Sequence, residues 1–266
     1  MRSRHVGAWR LGAVAAAVAV AGGGAALLGH ATPAGSKAAT GGLSLSPVVI
    51  ERTAKAGATD SVTVANHSAH TLAVTVAARP WRQSVTGVAQ PSRRATLSGV
   101  VLGAQSFTLK AGAQRTLTVT LASVPPAGYE YGALEAIGLP PGAAGRKGIV
   151  TGYRLIGTLR YDPEAPQLRL TAGKVRTTGS GSARILSLPV TNRGNTVKAV
   201  TGNVDLKGPL GTRNSDIRSV RILPGKTVDV PLQATKGLVA GAYKATIELD
   251  QGALTADFSR NVRIRR

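Results

Sequence analysis

The chain has 266 residues, no cysteine, only 3% aromatic residues and a formal net charge of +21 at pH 7. This length suffices for about two domains of ordinary size. The lack of cysteine excludes disulfides, zinc–thiolate sites, a cysteine nucleophile and a lipid-modified lipoprotein cysteine.

The strong positive charge favours polyanionic partners, such as an anionic cell-wall polymer or phospholipid head groups. The basic residues are dispersed along the chain, so a bias from high-GC coding remains an equal alternative. With five Tyr, two Phe and two Trp, the chain offers few stacking platforms, and specific nucleic-acid binding is not predicted.

Residues 1–34 are predicted to be a signal peptide. Arg2, Arg4 and Arg10 form a positive start, an uncharged Ala/Val/Gly-rich stretch follows, and small residues around Ala31 suit cleavage. The alternative is an uncleaved N-terminal anchor, because about 20 apolar residues can cross a bilayer. Either way the protein is exported, to the extracellular space or the cell envelope, and this segment would be its only contact with the membrane.

Residues 35–42 read as a flexible spacer, and a first domain is predicted over 43–161. Within it, alternating apolar residues predict short strands with hairpin turns, one of them at Asn66–His70. Pro80 and Trp81 are predicted to end the strand that leaves this turn.

The sequence contains two copies of one β unit. Val64-Ala-Asn66 is echoed by Val190-Thr-Asn192, and the later Leu109-Lys-Ala-Gly112 is echoed by Leu223-Pro-Gly225. Asn and Gly are 46 residues apart in the first copy and 33 in the second. The 13 extra residues fall within 82–104, which is therefore an insertion in the first copy.

Asp162-Pro-Glu-Ala-Pro166 is a stiff linker, and a second domain is predicted over 167–266. Its strands are predicted at about 167–177, 184–191, 196–206, 216–222, 226–233, 241–250 and 253–265. Short strands at regular spacing, without helical periodicity after residue 35, predict an all-β protein: two tandem immunoglobulin-like β-sandwich domains after an N-terminal signal or anchor segment.

The first domain resembles the N-terminal peptidoglycan-binding domain of the WxL-interacting protein family. The similarity lies in Leu45-Ser-Pro-Val-Val-Ile50, in Val62-Thr-Val-Ala-Asn66 and in Val124-Pro-Pro-Ala-Gly-Tyr-Glu-Tyr-Gly-Ala133. This resemblance implies an immunoglobulin-like domain at a Gram-positive surface that contacts peptidoglycan and protein partners.

The same stretch is similar to the first domain of periplasmic pilus chaperones, through Tyr153-Arg-Leu-Ile-Gly-Thr-Leu-Arg-Tyr-Asp-Pro163. That resemblance implies a protein that lends an alternating apolar strand and holds a subunit's terminal carboxylate with a basic pair. Arg52 with Arg154 or Arg160 are the candidates for the pair. A chaperone needs an open edge at 150–161, whereas a wall-binding module needs that edge paired.

Catalysis, a cofactor and a metal are not predicted. His67 and His70 form a His-x-x-His pair in a short turn without a third ligand, so they read as solvated turn residues. Glu130 and Glu135 are five residues apart and would lie on opposite faces of one strand, which prevents them from acting as an acid–base pair.

Trp81 is the candidate centre of a ligand site. Arg79, Arg82, Arg93 and Arg94 flank it and together would form a basic patch around an aromatic ring, suited to an anionic glycan. The alternative places Trp81 in the core between two sheets.

The sequence thus predicts a secreted or surface-bound, non-catalytic adhesion protein whose partner is an anionic cell-wall polymer or an envelope protein. The second hypothesis is a pilus-type assembly chaperone that acts by edge-strand addition.

Overall fold

The computed structural model describes residues 41–145, 147, 149–180 and 183–265. The predicted signal or anchor and nearly all of the spacer lie outside the described residues. Within them the chain is almost entirely β, with one short 3₁₀ turn at Ala143–Gly145. None of the described helices is long and apolar enough to span a bilayer.

The described residues contain eighteen strands, numbered in chain order, which form two sandwiches. The first sandwich contains β1 Leu43–Ser46, β2 Val49–Thr53, β3 Ala58–Asn66, β4 Leu72–Gln83, β5 Ala89–Pro91, β6 Val100–Leu102, β7 Ser106–Leu109, β8 Gln114–Leu121, β9 Glu130–Leu139 and β10 Tyr153–Asp162. The second contains β11 Leu170–Ala172, β12 Arg176–Thr178, β13 Ile185–Asn192, β14 Ala199–Gly208, β15 Gly211–Arg221, β16 Thr227–Ala234, β17 Gly241–Gln251 and β18 Leu254–Ile264.

In the first sandwich the opening strand is divided between the two sheets. β1 pairs with β3 in the sheet β1-β3-β8-β6. After Pro47 the chain crosses over, and β2 joins the facing sheet β2-β10-β9-β4-β5, to which β7 also pairs through β4. Because β2 runs parallel to β10 and covers only Thr158–Asp162, the first half of β10 has no neighbouring strand on that side within the described part of the chain.

β4 runs through Pro80 and Trp81 as far as Gln83, so the prediction that these residues end the strand is wrong. The Pro80 carbonyl accepts from Ser92 N at 2.8 Å, on the side of β4 away from β9. Since the N–H and C=O of one strand residue point the same way, the N–H that proline lacks is not needed in the β4–β9 ladder. The predicted insertion therefore continues β4 and returns as β5.

The second sandwich keeps both halves of its opening strand in one sheet. β11 and β12 pair with successive parts of β13, whose other side holds β16. The facing sheet has the order β15-β14-β17-β18. β18 therefore lies at an edge along its whole length.

Each sandwich encloses its own core of alternating strand residues. Val62, Val64 and Val119 are fully buried in the first, and Leu188, Val190 and Val230 in the second. Full burial of such a side chain stabilises the fold by about 1.5–3 kcal/mol. The all-β class and the two tandem immunoglobulin-like sandwiches predicted from the sequence are confirmed, while the domain boundaries at 43–161 and 167–266 stay predictions.

The duplicated asparagines are buried and link the two duplicated motifs of each sandwich. The Asn66 amide donates to the carbonyls of His70 at 2.8 Å and of Leu109 and Lys110 at 3.1 Å. Asn192 donates in the same way to Thr196 and Ile222, both at 2.7 Å.

Backbone bonds complete the link: Gly112 N donates to Asn66 O, and Gly225 N to Asn192 O. The sequence spacing of Asn and Gly thus reflects a tertiary contact. Asn66 does not have a positive φ, because among the described residues only glycines do.

Candidate functional site

The first half of β10 is an open sheet edge. β9 pairs with β10 from Tyr153 to Tyr161, but β2 begins to pair only at Thr158, whose N–H donates to Val48 O at 2.7 Å. Backbone groups alternate in direction along a strand. The N–H and C=O groups of Arg154 and Ile156 therefore point outward, with no strand beside them among the described residues.

The side chains at this edge alternate between core and surface. Tyr153 and Leu155 are partly buried and pack against the core of the first sandwich. Ile156 points to the outer face and is 39% exposed, and Ile149, ahead of the strand, is fully exposed. An apolar, unpaired edge of this kind is suited to accepting another strand.

The outer edge of β18 in the second sandwich is also unpaired, but it carries a charge on its inward side. Arg260 donates through Nε to Gly173 O and through Nη2 to Ala172 O, both at 2.9 Å. Its guanidinium also stacks over the Phe258 ring at 5.5 Å. A charged side chain that points inward at an edge is a known barrier to further strand pairing.

A cleft of ≈ 640 Å³ lies beside β10, and three arginines line it: Arg82 and Arg93 from the insertion and Arg154 from β10. Arg82 and Arg93 have no carboxylate partner among the described residues. The structure thus joins two arginines of the predicted Trp81 site with one from the predicted chaperone site.

A buried carboxylate bonds to two arginines of this region. Glu135 is 5% exposed and accepts from Arg154 Nε at 2.7 Å and from Arg79 Nε. Arg79 also donates to the carbonyls of Arg93 and Ala95 at 3.2 and 3.4 Å. Arg79 therefore holds the insertion in place instead of facing a ligand.

Arg52 and Arg160, the other two candidates for the predicted basic pair, are also in ion pairs. Arg52 lies 2.5 Å from Asp60 and Arg160 lies 2.7 Å from Glu51. All three candidate arginines, Arg154 with Glu135 included, therefore already have a carboxylate partner, and exposure does not separate Arg154 from Arg52, whose side chains are 50% and 55% exposed.

Trp81 is half-buried on the extension of β4, where it pairs with Pro91. It does not belong to the buried core cluster of the first sandwich, so the alternative of a tryptophan packed between the sheets is wrong. Arg94 is exposed and is not among the residues that line the cleft.

The histidine pair lies in the exposed turn after β3. His67 Nε2 is 2.9 Å from Ser44 Oγ, and the His70 carbonyl accepts from the Asn66 amide. Among the described residues, no group of three or more His, Cys, Asp or Glu side chains could hold a metal ion.

Two structural residues at the junction of the sandwiches escaped the sequence analysis. The Tyr131 hydroxyl lies 2.8 Å from the Asp162 carboxylate and 3.0 Å from the Asn195 carbonyl. Burial, together with the bond to Asp162, raises the pKa of Tyr131. Gln83 is the second residue. The only sequence signal for either was its position: Tyr131 lies in the stretch 124–133 that carries the family resemblance, and Gln83 lies in the insertion.

No family model and no curated protein matches the chain. Solved structures do: a chain from a chaperone–tip adhesin complex of CFA/I fimbriae biogenesis has 14% identity and a TM-score of 0.52, over 83% of this chain and 99% of that chain. The class 5 fimbriae chaperone CfaA has 14% identity and a TM-score of 0.52, over 82% of this chain and 98% of that chain. At this identity the likeness shows a shared fold.

These neighbours contradict the predicted adhesion function and its anionic cell-wall partner, because one is named as a fimbrial chaperone and the other comes from a chaperone–tip adhesin complex. The resemblance to pilus chaperones is supported, and that to the WxL-interacting family is not. The net charge does not report what each arginine contacts: Arg79 pairs with Glu135, and Arg260 donates to a backbone carbonyl. The chaperone neighbours are consistent with a non-catalytic protein.

Proposed function

We propose that this protein is a pilus-type assembly chaperone of the cell envelope that holds a fibre subunit by strand addition along β10. The open edge from Tyr153 to Gly157 carries the proposal. The outward N–H and C=O groups of Arg154 and Ile156 offer four hydrogen-bonding groups to an incoming strand.

The fold supports this proposal, because the two neighbours are matched over nearly their whole length and one is named as a fimbrial chaperone. The predicted export signal is consistent with action in the cell envelope, which we favour over the extracellular space. The site residues are this chain's own and are assigned from their geometry.

A subunit strand beside Tyr153–Gly157 would cover Tyr153 and Leu155, which are only partly buried in the free protein. Main-chain bonds would supply affinity, and the alternating side chains would supply specificity. The strand cannot continue beyond Thr158, because β2 occupies that edge. Ile149 could extend the apolar contact in the other direction.

For an anionic group of the subunit, such as a terminal carboxylate, we assign the basic role to Arg154 with Arg82 and Arg93. These three side chains line one cleft, and guanidinium groups bind carboxylates in a bidentate manner. Arg52 and Arg160 are not assigned this role, because neither lines the cleft.

Site-specific photo-crosslinking in the producing cells tests the proposal. A benzoylphenylalanine at Ile156 should capture one secreted polypeptide, and the same group at Thr255 on β18 should not. In the protein without the photo-reactive group, Ile156→Pro, which removes an outward N–H, should abolish co-purification of that polypeptide, whereas Ile156→Ala should retain it. The proposal fails if nothing is captured at Ile156, or if the proline variant still co-purifies with the polypeptide.

A further inference from the structure

The hairpin formed by β4 and β5 reaches the second sandwich through its tip. Gln83 bonds to that sandwich in both directions: its Nε2 donates to Arg221 O at 2.7 Å, and its Oε1 accepts from Leu223 N at 2.9 Å. Two residues further on, Val85 O accepts from Asp229 N at 2.7 Å. One side chain and one backbone carbonyl thus bridge two separate cores.

The bond to Asp229 extends a sheet of the second sandwich. Asp229 lies on β16, which pairs with β13 on one side only. Its N–H therefore points to the free edge of β16, where Val85 provides the acceptor. The hairpin tip takes the place of a further strand at this edge.

The tip also packs closely against apolar side chains. A Cβ at Gly87 would lie 3.2 Å from Val228 Cγ1 and 3.4 Å from Val220 Cγ2. The φ of Gly87 is +85°, in the left-handed region that glycine tolerates best. Both the turn and the close approach thus favour glycine here.

A second connection lies at the linker. Asn195 Oδ1 accepts from Gln167 N at 2.7 Å and its Nδ2 donates to Ala165 O at 3.1 Å, which ties the linker to the second sandwich. Tyr131 of the first sandwich contacts the Asn195 carbonyl. The linker with its Tyr131 contact is one attachment between the sandwiches, and the hairpin is a second attachment that opposes rotation about it.

The hairpin exists because of the insertion. In the second sandwich β14 and β15 are joined directly through Pro209 and Leu210, and no comparable extension is present there. The residues by which the first copy exceeds the second are therefore those that reach the other sandwich.

We propose that the β4–β5 hairpin is a latch that fixes the two sandwiches in one relative position, with Gln83 as its positioning residue. The latch itself does not depend on the proposed chaperone function. Its use rests on that function: a fixed hairpin keeps Arg82 and Arg93 beside Arg154, at the side of the open β10 edge.

Distance measurements between two spin labels test the latch without any partner. Because the chain has no cysteine, Lys110→Cys and Thr212→Cys introduce one label on each sandwich. The unaltered hairpin should give one narrow distance distribution. Gln83→Ala, and replacement of residues 84–88 by Asn-Gly, should broaden it, and Gln90→Ala on the same hairpin should not.

A narrow, unchanged distribution in both hairpin variants would overturn the latch. Broadening on loop replacement alone would place the latch in the tip and overturn the role of Gln83. If the shortened hairpin does not fold, Gln83→Ala decides the question. Photo-crosslinking at Ile156 separates the two proposals: a latch variant should bind its partner less, whereas failure of strand addition would abolish capture in the unaltered protein.

Discussion

The two sandwiches are copies of one unit, yet their last strands meet solvent differently. In the first, the opening strand is divided, and β2 covers the second half of β10. In the second, β11 and β12 both remain with β13, so β18 is uncovered along its whole length. By length alone β18 would be the better site for strand addition.

The inward-facing side chains nevertheless make β10 the better site for strand addition. The uncovered half of β10 turns Tyr153 and Leu155 toward the core, both apolar. β18 turns Arg260 inward, where it is bound to two carbonyls of the opposite sheet. Availability of an edge is therefore decided by the inward side chains as well as by the missing neighbour, because an incoming strand must bury whatever lies beside it.

The largest effect is expected when an inward-facing charge, like that of Arg260 on β18, is introduced on β10. Leu155→Lys places a charge on the inward side of the open edge and should lower capture of the partner at Ile156 roughly tenfold or more, since about 1.4 kcal/mol accounts for each factor of ten. Quantified photo-crosslinking measures this loss. A lysine on the outer face, Ala77→Lys, serves as the control, and equal losses in both variants would contradict the comparison.

The two asparagine links are expected to be the next most sensitive positions. Asn66→Ala or Asn192→Ala leaves buried carbonyls without donors, which should lower the free energy of unfolding by about 2–3 kcal/mol. Urea unfolding measures the change. Asn214→Ala, at an exposed position of β15, should have little effect, and a loss below about 0.5 kcal/mol at Asn66 would show that its bonds are replaceable.

Removing the inward-facing charge from β18 should allow its uncovered edge to pair with another strand. Arg260→Leu leaves an apolar inward row, and we expect self-association at about 100 µM protein, measured by sedimentation velocity. Arg263→Leu, on the outward face of the same strand, should stay monomeric. A monomeric Arg260→Leu variant would mean that the length and twist of β18 protect it without help.

The smallest effect concerns Glu130, the first residue of β9. Burial raises the pKa of Glu130 above its ordinary value of 4.5. The folded state therefore binds the proton more tightly than the unfolded state, and stability from this group is lost as pH rises through the folded pKa.

Glu130→Gln should accordingly raise the melting temperature at pH 7 by about 2 °C, as expected for less than 1 kcal/mol in a chain of this size. At pH 4 the gain should disappear, because Glu130 is then protonated in the folded protein. Calorimetry at the two pH values measures this difference, and an equal gain at both would exclude burial of the charge as the cause.

The presence of many short strands followed from period-two alternation, and the second-sandwich strands lie within a few residues of their predicted positions. The site was predicted less well. The basic pair implied by the chaperone resemblance stays a prediction: Arg154 lies beside the open edge, and Arg52 and Arg160 bond to Asp60 and Glu51, which are 8 and 109 positions away. Trp81 and Arg94 were singled out by proximity along the chain, which does not report what a side chain faces.

The sequence by itself determined the duplication, the all-β class and the location of the insertion, because these depend on local periodicity and on comparison of the two copies. Only the tertiary structure decided which edge is open, which arginines are free and what the insertion contacts. Those properties depend on pairing between strands far apart in the chain. Gln83 shows the difference: an ordinary polar residue in the sequence, it bonds a sandwich whose contact residues lie 138 and 140 positions away.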